Sequence, residues 1–266
     1  MLLCKYDLAV CDFHGQSPLL IASLSGNETI VRLLLEKNDD VVNLYDDNKQ
    51  TPLFVACEKG YTGISKAIIK YDANVNLSNS SGSSPLYVTC LKGHYEIASI
   101  LLKHGAGINQ FDKDNRTPLY AACKAGKKDI VELLLIKGAD KDICNKWGVS
   151  ALFVACREGH TNVVNCLLEN NFKTTLCDTN NTSPLQKACE EGFKDIVVSL
   201  LRHDGDINNT DHNIRTPLHS ACENGHEAIV ELLIDSKAKF IADSNGMYPS
   251  DVARKNGHTT IANMFK

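Results

Sequence analysis

Eleven cysteines and nine histidines are the residues whose types could carry nucleophilic, redox or metal chemistry in this 266-residue chain. A cysteine nucleophile needs a placed base and a pocket that stabilises the transition state. A zinc site needs His and Cys at close, characteristic spacings. Neither pattern is present. Cys57, Cys90, Cys123, Cys156, Cys189 and Cys222 recur at one position every 33 residues. His94, His160, His226 and His258 each follow a glycine, and His219 belongs to a recurring Thr-Pro-Leu-x motif. His14, His104, His203 and His212 are scattered. No CxxC, HExxH or phosphate-binding G-x-x-x-x-G-K-[ST] run occurs. The chain is therefore expected to be no enzyme, with no cofactor and no metal.

The regular spacing points to what positions these residues. A Ser/Thr-Pro-Leu motif begins at Ser17, Thr51, Ser84, Thr117, Ser150 (with Ala151 replacing Pro), Ser183 and Thr216. A degenerate copy begins at Tyr248. The steps are 34, 33, 33, 33, 33, 33 and 32 residues. Internal periods of this length define repeat architectures. The hydroxyl caps a helix start, and Pro at the first helical position has no N–H to leave unpaired. Leu19, Leu53, Leu86, Leu119, Leu152, Leu185 and Leu218 follow as core residues. Small pairs such as Ala56-Cys57 let neighbouring helices approach. A glycine then ends each first helix, at 26, 60, 93, 126, 159, 192, 225 and 257, where a left-handed conformation is needed. A second helix follows with apolar residues at helical spacing, as in Ile130, Val131, Leu133 and Leu134. Asp12, Asp46, Asp112, Asp178, Asp211 and Asp243 share one turn position with Asn79 and Asn145, and both types stabilise turns. Lys49 and Ile214 stand where other repeats have a turn glycine, and a β-branched residue there is strained if φ is positive.

Composition agrees. Hydrophobic residues make up 43% and charged residues 23%, a globular balance, and the net charge of -4 argues against a general nucleic-acid surface. No stretch approaches the roughly 18 apolar residues of a membrane span. Cysteines spread through a long chain at a buried repeat position fit a reduced, intracellular protein, cytoplasmic or nuclear.

Each unit, most clearly residues 216–235 (TPLHSACENGHEAIVELLID), resembles the ankyrin repeat. The resemblance implies an all-α solenoid of stacked repeats with β-hairpin-like loops. It forms a single domain over 1–266 of about eight repeats, partial at the first and degenerate at the last. Residues 1–8 read as the last turn of a preceding second helix, so the chain is expected to be either a fragment of a longer protein or minimally capped. The implied function is protein–protein interaction, as a monomeric adaptor or scaffold working through its concave surface. The alternative is a structural or regulatory segment of a larger multidomain signalling or membrane-associated protein.

In ankyrin-like proteins the hairpin tips and the exposed side of the first helices form the concave face. Carried over, that face holds Tyr45, Glu58, Lys92, Phe111, Lys113, Arg116, Lys124, Lys146, Trp147, Arg157, Glu158, Glu190, Glu191, His212 and Glu223. Trp147 is the sole tryptophan, and rigid aromatics are favoured interface anchors. Packing across adjacent hairpins is the competing role. Cations cluster in the middle repeats and carboxylates follow. That order suits an extended protein partner with acidic and basic parts, or equally an ordinary solvated surface. Phe54, Tyr87, Tyr120 and Phe153 stand where the family often has His, and stacking inside the core is expected of them. By resemblance alone, Asn43, Asn76, Asn109 and Asn208 are possible hydroxylation sites.

Overall fold

The computed structural model describes residues 9–38 and 40–265. The expectation for residues 1–8 lies outside them. The chain divides into two compact units, Met1–Asp140 and Lys141–Lys266. The first contains α1 (Pro18–Leu24), α2 (Glu28–Lys37), a 3-10 turn (Asp40–Asn43), α3 (Pro52–Lys59), α4 (Thr62–Lys70), α5 (Pro85–Lys92), α6 (Tyr95–Lys103), α7 (Pro118–Lys124) and α8 (Lys128–Ile136). The second contains α9 (Ala151–Arg157), α10 (Thr161–Glu169), α11 (Pro184–Glu191), α12 (Lys194–Arg202), α13 (Pro217–Glu223), α14 (Glu227–Asp235), α15 (Pro249–Lys255) and α16 (Thr259–Asn263). No strand occurs among the described residues.

The helices start where the hydroxyls predict. Ser17, Thr51, Ser84, Thr117, Ser150, Ser183 and Thr216 each accept a hydrogen bond from the backbone N–H three residues on. Tyr248 has no such oxygen to offer. Its own N–H instead donates to Asp251 Oδ2 at 3.1 Å.

In the first unit, α3 packs between α1 and α5, and α5 between α3 and α7. In the second, α11 packs between α9 and α13, and α13 between α11 and α15. Leu53, Leu86 and Leu119 are no more than 1% exposed. Such a side chain contributes about 1.5–3 kcal/mol by leaving water. The six repeated cysteines are all fully buried within these first helices. The ten described cysteines are free thiols. Burial pushes the Cys57 thiol up to about 12, so at neutral pH it is a small apolar residue and no nucleophile.

The hairpins are built on one carboxylate or amide each. Asp46 Oδ1 accepts the N–H groups of Asn48 and Gln50 at 2.9 and 2.8 Å. Asn79, Asp112, Asn145, Asp178, Asp211 and Asp243 do the same two and four residues on. Neighbouring hairpins are tied by single backbone bonds. Asp47, Ser80 and Lys113 donate to the carbonyls of His14, Asn48 and Ser81 in the first unit. Thr179, His212 and Ser244 donate to Trp147, Asn180 and Asn213 in the second.

Ile214 adopts φ 60°, at the turn position that Gly148 and Gly246 fill. A side chain in this left-handed conformation costs about 1–2 kcal/mol, whereas a glycine loses about 0.5–1 kcal/mol more chain entropy on folding. Ile214→Gly is therefore expected to stabilise the chain by about 0.5–1 kcal/mol. A higher midpoint of urea unfolding checks this, and a lower one would refute it.

Candidate protein-binding faces

Every first helix ends in a left-handed glycine or just before one, and at Gly26, Gly60, Gly93, Gly159, Gly192 and Gly225 a side chain of the next repeat closes over it. A methyl group added at Gly60 would meet the His94 ring, and one at Gly192 the His226 ring, in each case 2.5 Å from Cε1. The rings are held there by purpose-built bonds. His94 Nε2 donates to the Glu58 carbonyl at 3.3 Å, His226 to Glu190 at 3.0 Å and His258 to Glu223 at 3.1 Å. These histidines thus join repeats, a role that their place after a glycine does not by itself reveal. The four asparagines singled out above also bridge repeats. Asn43, Asn76, Asn109 and Asn208 accept from the N–H of Asn74, Gly107, Asp140 and Lys239 at 2.8–3.0 Å.

The side chains left outward by this packing are the candidate faces, one in each unit. In the first unit, Glu58, Lys92 and Lys124 lie in the last turns of α3, α5 and α7. Tyr45 and Phe111, 58% and 57% exposed, and Lys113 project from the hairpins. Arg116 is held by its own hairpin: Nη2 lies 2.7 Å from Asp112 and 3.2 Å from Asp114. Partial burial pulls the guanidinium pKa down, but the bond to Asp112 together with the charges of Tyr87, Asp112 and Asp114 outweighs it and the net shift is upward.

In the second unit, the Lys146 ammonium sits 4.4 Å over the ring of Trp147, which is 46% exposed. Arg157 pairs with Glu158 at 2.9 Å at the end of α9. Glu190 and Glu191 close α11 and Glu223 closes α13. Carboxylates are unfavourable at a helix C-terminus, where the macrodipole is negative. Two cations not anticipated from sequence offset this. Lys187 reaches Glu190 and Glu191 at 2.8 and 2.9 Å, and Arg215 reaches Glu223 at 2.7 Å. The Lys187 contacts follow helical i,i+3 and i,i+4 spacing and were readable. Arg215 reaches from hairpin to helix, and no spacing rule marks it. His212 is exposed on the seventh hairpin.

Phe54, Tyr87, Tyr120 and Phe153 are 2–6% exposed and belong to the core, not to a binding strip. Further along the same position, Gln186 donates to Asp211 at 3.2 Å. His219 accepts from the Thr216 N–H at Nδ1 and donates from Nε2 to Met247 O. Burial depresses the His219 pKa, consistent with this neutral tautomer.

No group of three or more metal-ligating side chains occurs among the described residues. None of the described helices is long and apolar enough to cross a membrane. These are helix-pair repeats stacked, within each unit, into an all-α solenoid. A family model described as ankyrin repeats matches residues 1–79, 64–145, 134–211 and 203–265. The chain belongs to the ankyrin-repeat family. Among solved structures it is similar to the human ASB11 ankyrin repeat domain. The identity is 22%, the match covers 84% of this chain and 99% of that one, and the TM-score is 0.75, a likeness of fold. No curated protein matches. Ankyrin repeats are non-catalytic scaffolds for protein–protein interaction.

Proposed function

We propose that the chain is an adaptor or scaffold that holds another protein on the hairpins and first-helix ends of its two units. One observation carries this reading. The fold buries its aliphatic core, yet leaves Tyr45, Phe111 and Trp147 46–58% exposed on hairpins that the stack itself keeps rigid. Rigid aromatics on a preorganised surface lose little freedom on binding and are enriched among interface hot spots. Charged residues beside them, Lys113 and Lys146 in the hairpins and Glu58, Lys92, Lys124, Arg157, Glu158, Glu190, Glu191 and Glu223 at the helix ends, supply orientation and partner choice. A partner with acidic and basic parts fits this mixture. Free thiols throughout the described chain suit an intracellular setting.

The test is quantitative affinity capture from lysate, comparing the native chain with Trp147→Ala and with Lys66→Ala on the second-helix side. A hot-spot residue contributes about 2 kcal/mol or more, roughly a 30-fold change in affinity. Capture should drop for Trp147→Ala and persist for Lys66→Ala. Equal capture by all three would remove the reading.

A further inference from the structure

The second helices follow one pattern at their exposed positions, and the first unit departs from it three times around a single depression. Helices α2, α4, α8, α10, α12, α14 and α16 begin on Glu28, Thr62, Lys128, Thr161, Lys194, Glu227 and Thr259, all polar. Helix α6 begins instead on Tyr95, 49% exposed. Helices α2, α4, α6, α10, α12 and α14 end on a charged residue, whereas α8 ends on Ile136, 80% exposed. The third departure is a missing cation. Lys66 in α4 reaches Glu96 in α6 at 2.6 Å. One repeat of 33 residues further on, the same two positions hold Ser99 in α6 and Asp129 in α8. Serine cannot supply that charge, and the Asp129 side chain makes no hydrogen bond or ion pair. An acid in the first turn of α8 suits the helix macrodipole, but the macrodipole does not explain why the cation facing it has gone.

Tyr95, Asp129, Glu132, Leu133 and Ile136 line one open depression of about 330 Å³ between α6 and α8. Glu132 already pairs with Lys128 at 3.2 Å, so Asp129 is the acceptor left over. Lys127 and Lys128 border a neighbouring depression that shares Tyr95 and Asp129. They would repel a second positive charge arriving beside the first. The lining therefore suits one cation carried on an apolar stem. Arginine matches it best. Its methylene stem packs on aliphatic surface, and its planar guanidinium stacks on an aromatic face while donating to a carboxylate. The lysine ammonium is a compact, strongly hydrated charge and uses the ring less well.

We propose that the depression between α6 and α8 receives an arginine side chain of a partner protein, presented by a segment with apolar neighbours. The guanidinium lies against Tyr95 and donates to Asp129, supplying the charge that Lys66 supplies one repeat earlier. The apolar neighbours of the arginine cover Ile136. The surface belongs to second helices, apart from the hairpins and first-helix ends of the adaptor reading, and goes beyond that reading.

NMR titration of the isotope-labelled full chain tests it with three end-blocked peptides: Gly-Leu-Arg-Leu-Gly, the same peptide with uncharged citrulline in place of arginine, and Gly-Arg-Arg-Arg-Gly. The first should shift the amide signals of Tyr95 and of residues 129–136. It should bind about fivefold more tightly than the citrulline peptide, the scale of one favourable ion pair near a surface. The triarginine peptide should bind no more tightly than the first. Tyr95→Thr and Ile136→Lys place at these exposed sites the residues of other repeats, so the fold should persist and binding weaken. Asp129→Asn should erase the preference over citrulline, and Asp195→Asn, the corresponding change in α12, should leave it intact. Equal binding of the arginine and citrulline peptides, absence of binding, or shifts confined to other residues would each overturn the proposal. Tighter binding of triarginine would overturn it in favour of a nonspecific acidic surface. Self-association of the chain that Ile136→Lys abolishes would overturn it by giving the depression to a second copy. Trp147-dependent capture tests the adaptor reading separately, so either can fail without the other.

Discussion

Gly192→Ala is expected to cost about 3 kcal/mol of folding stability, while the same change at Gly257 costs about half as much. Both glycines have φ 83°, so both substitutions bear the left-handed penalty of about 1–2 kcal/mol. Only at Gly192 does the new methyl collide with a ring. His226 must leave, and the Glu190 carbonyl that accepted from it at 3.0 Å loses its partner, a further cost of about 1–2 kcal/mol for a part-buried group. Space around Gly257 is open. Urea midpoints of the two variants separate the contributions. Equal losses would mean that the histidine contact between repeats adds nothing.

Phe54→Ala is expected to be the most damaging single truncation, at about 3–5 kcal/mol. The ring is 2% exposed in α3, between α1 and α5, and its removal leaves a cavity that flanking helices fill only in part. Tyr45→Ala, nine residues earlier and 58% exposed, should change stability by no more than about 0.5 kcal/mol while weakening partner capture. Calorimetry on the two variants checks the contrast. A small loss for Phe54→Ala would mean that this position is not part of the core.

The scaffold was legible because each signal is local and repeated. A hydroxyl bonds three residues on, an aspartate two and four residues on, and a glycine reverses the chain. These distances are fixed by the backbone, so Ser84, Asp112 and Gly126 could be placed from spacing alone. Ile214 shows the same legibility for strain: its turn position required a positive φ, and φ is 60°. The electrostatics of the faces was less legible. Glu190, Glu191 and Glu223 read as a free acidic end, yet Lys187 and Arg215 largely neutralise them. The bond from His94 to the Glu58 carbonyl spans 36 residues. Long-range contacts of this kind follow from how repeats stack and not from the order of residues within one.

The bonds that backbone N–H groups and the histidines after glycine donate between repeats share a direction. Asp47 N–H donates to His14, His94 to Glu58, Gly107 N–H to Asn76, and His226 to Glu190. In each case the donor belongs to the later repeat and the acceptor to the earlier one. A nascent chain leaves the ribosome N-terminus first, so within each unit each of these donors meets an acceptor that has already been made. At about 5–20 residues per second, one repeat of 33 residues emerges every 2 to 7 seconds or so, and each can lock onto its predecessor without waiting for the end of translation.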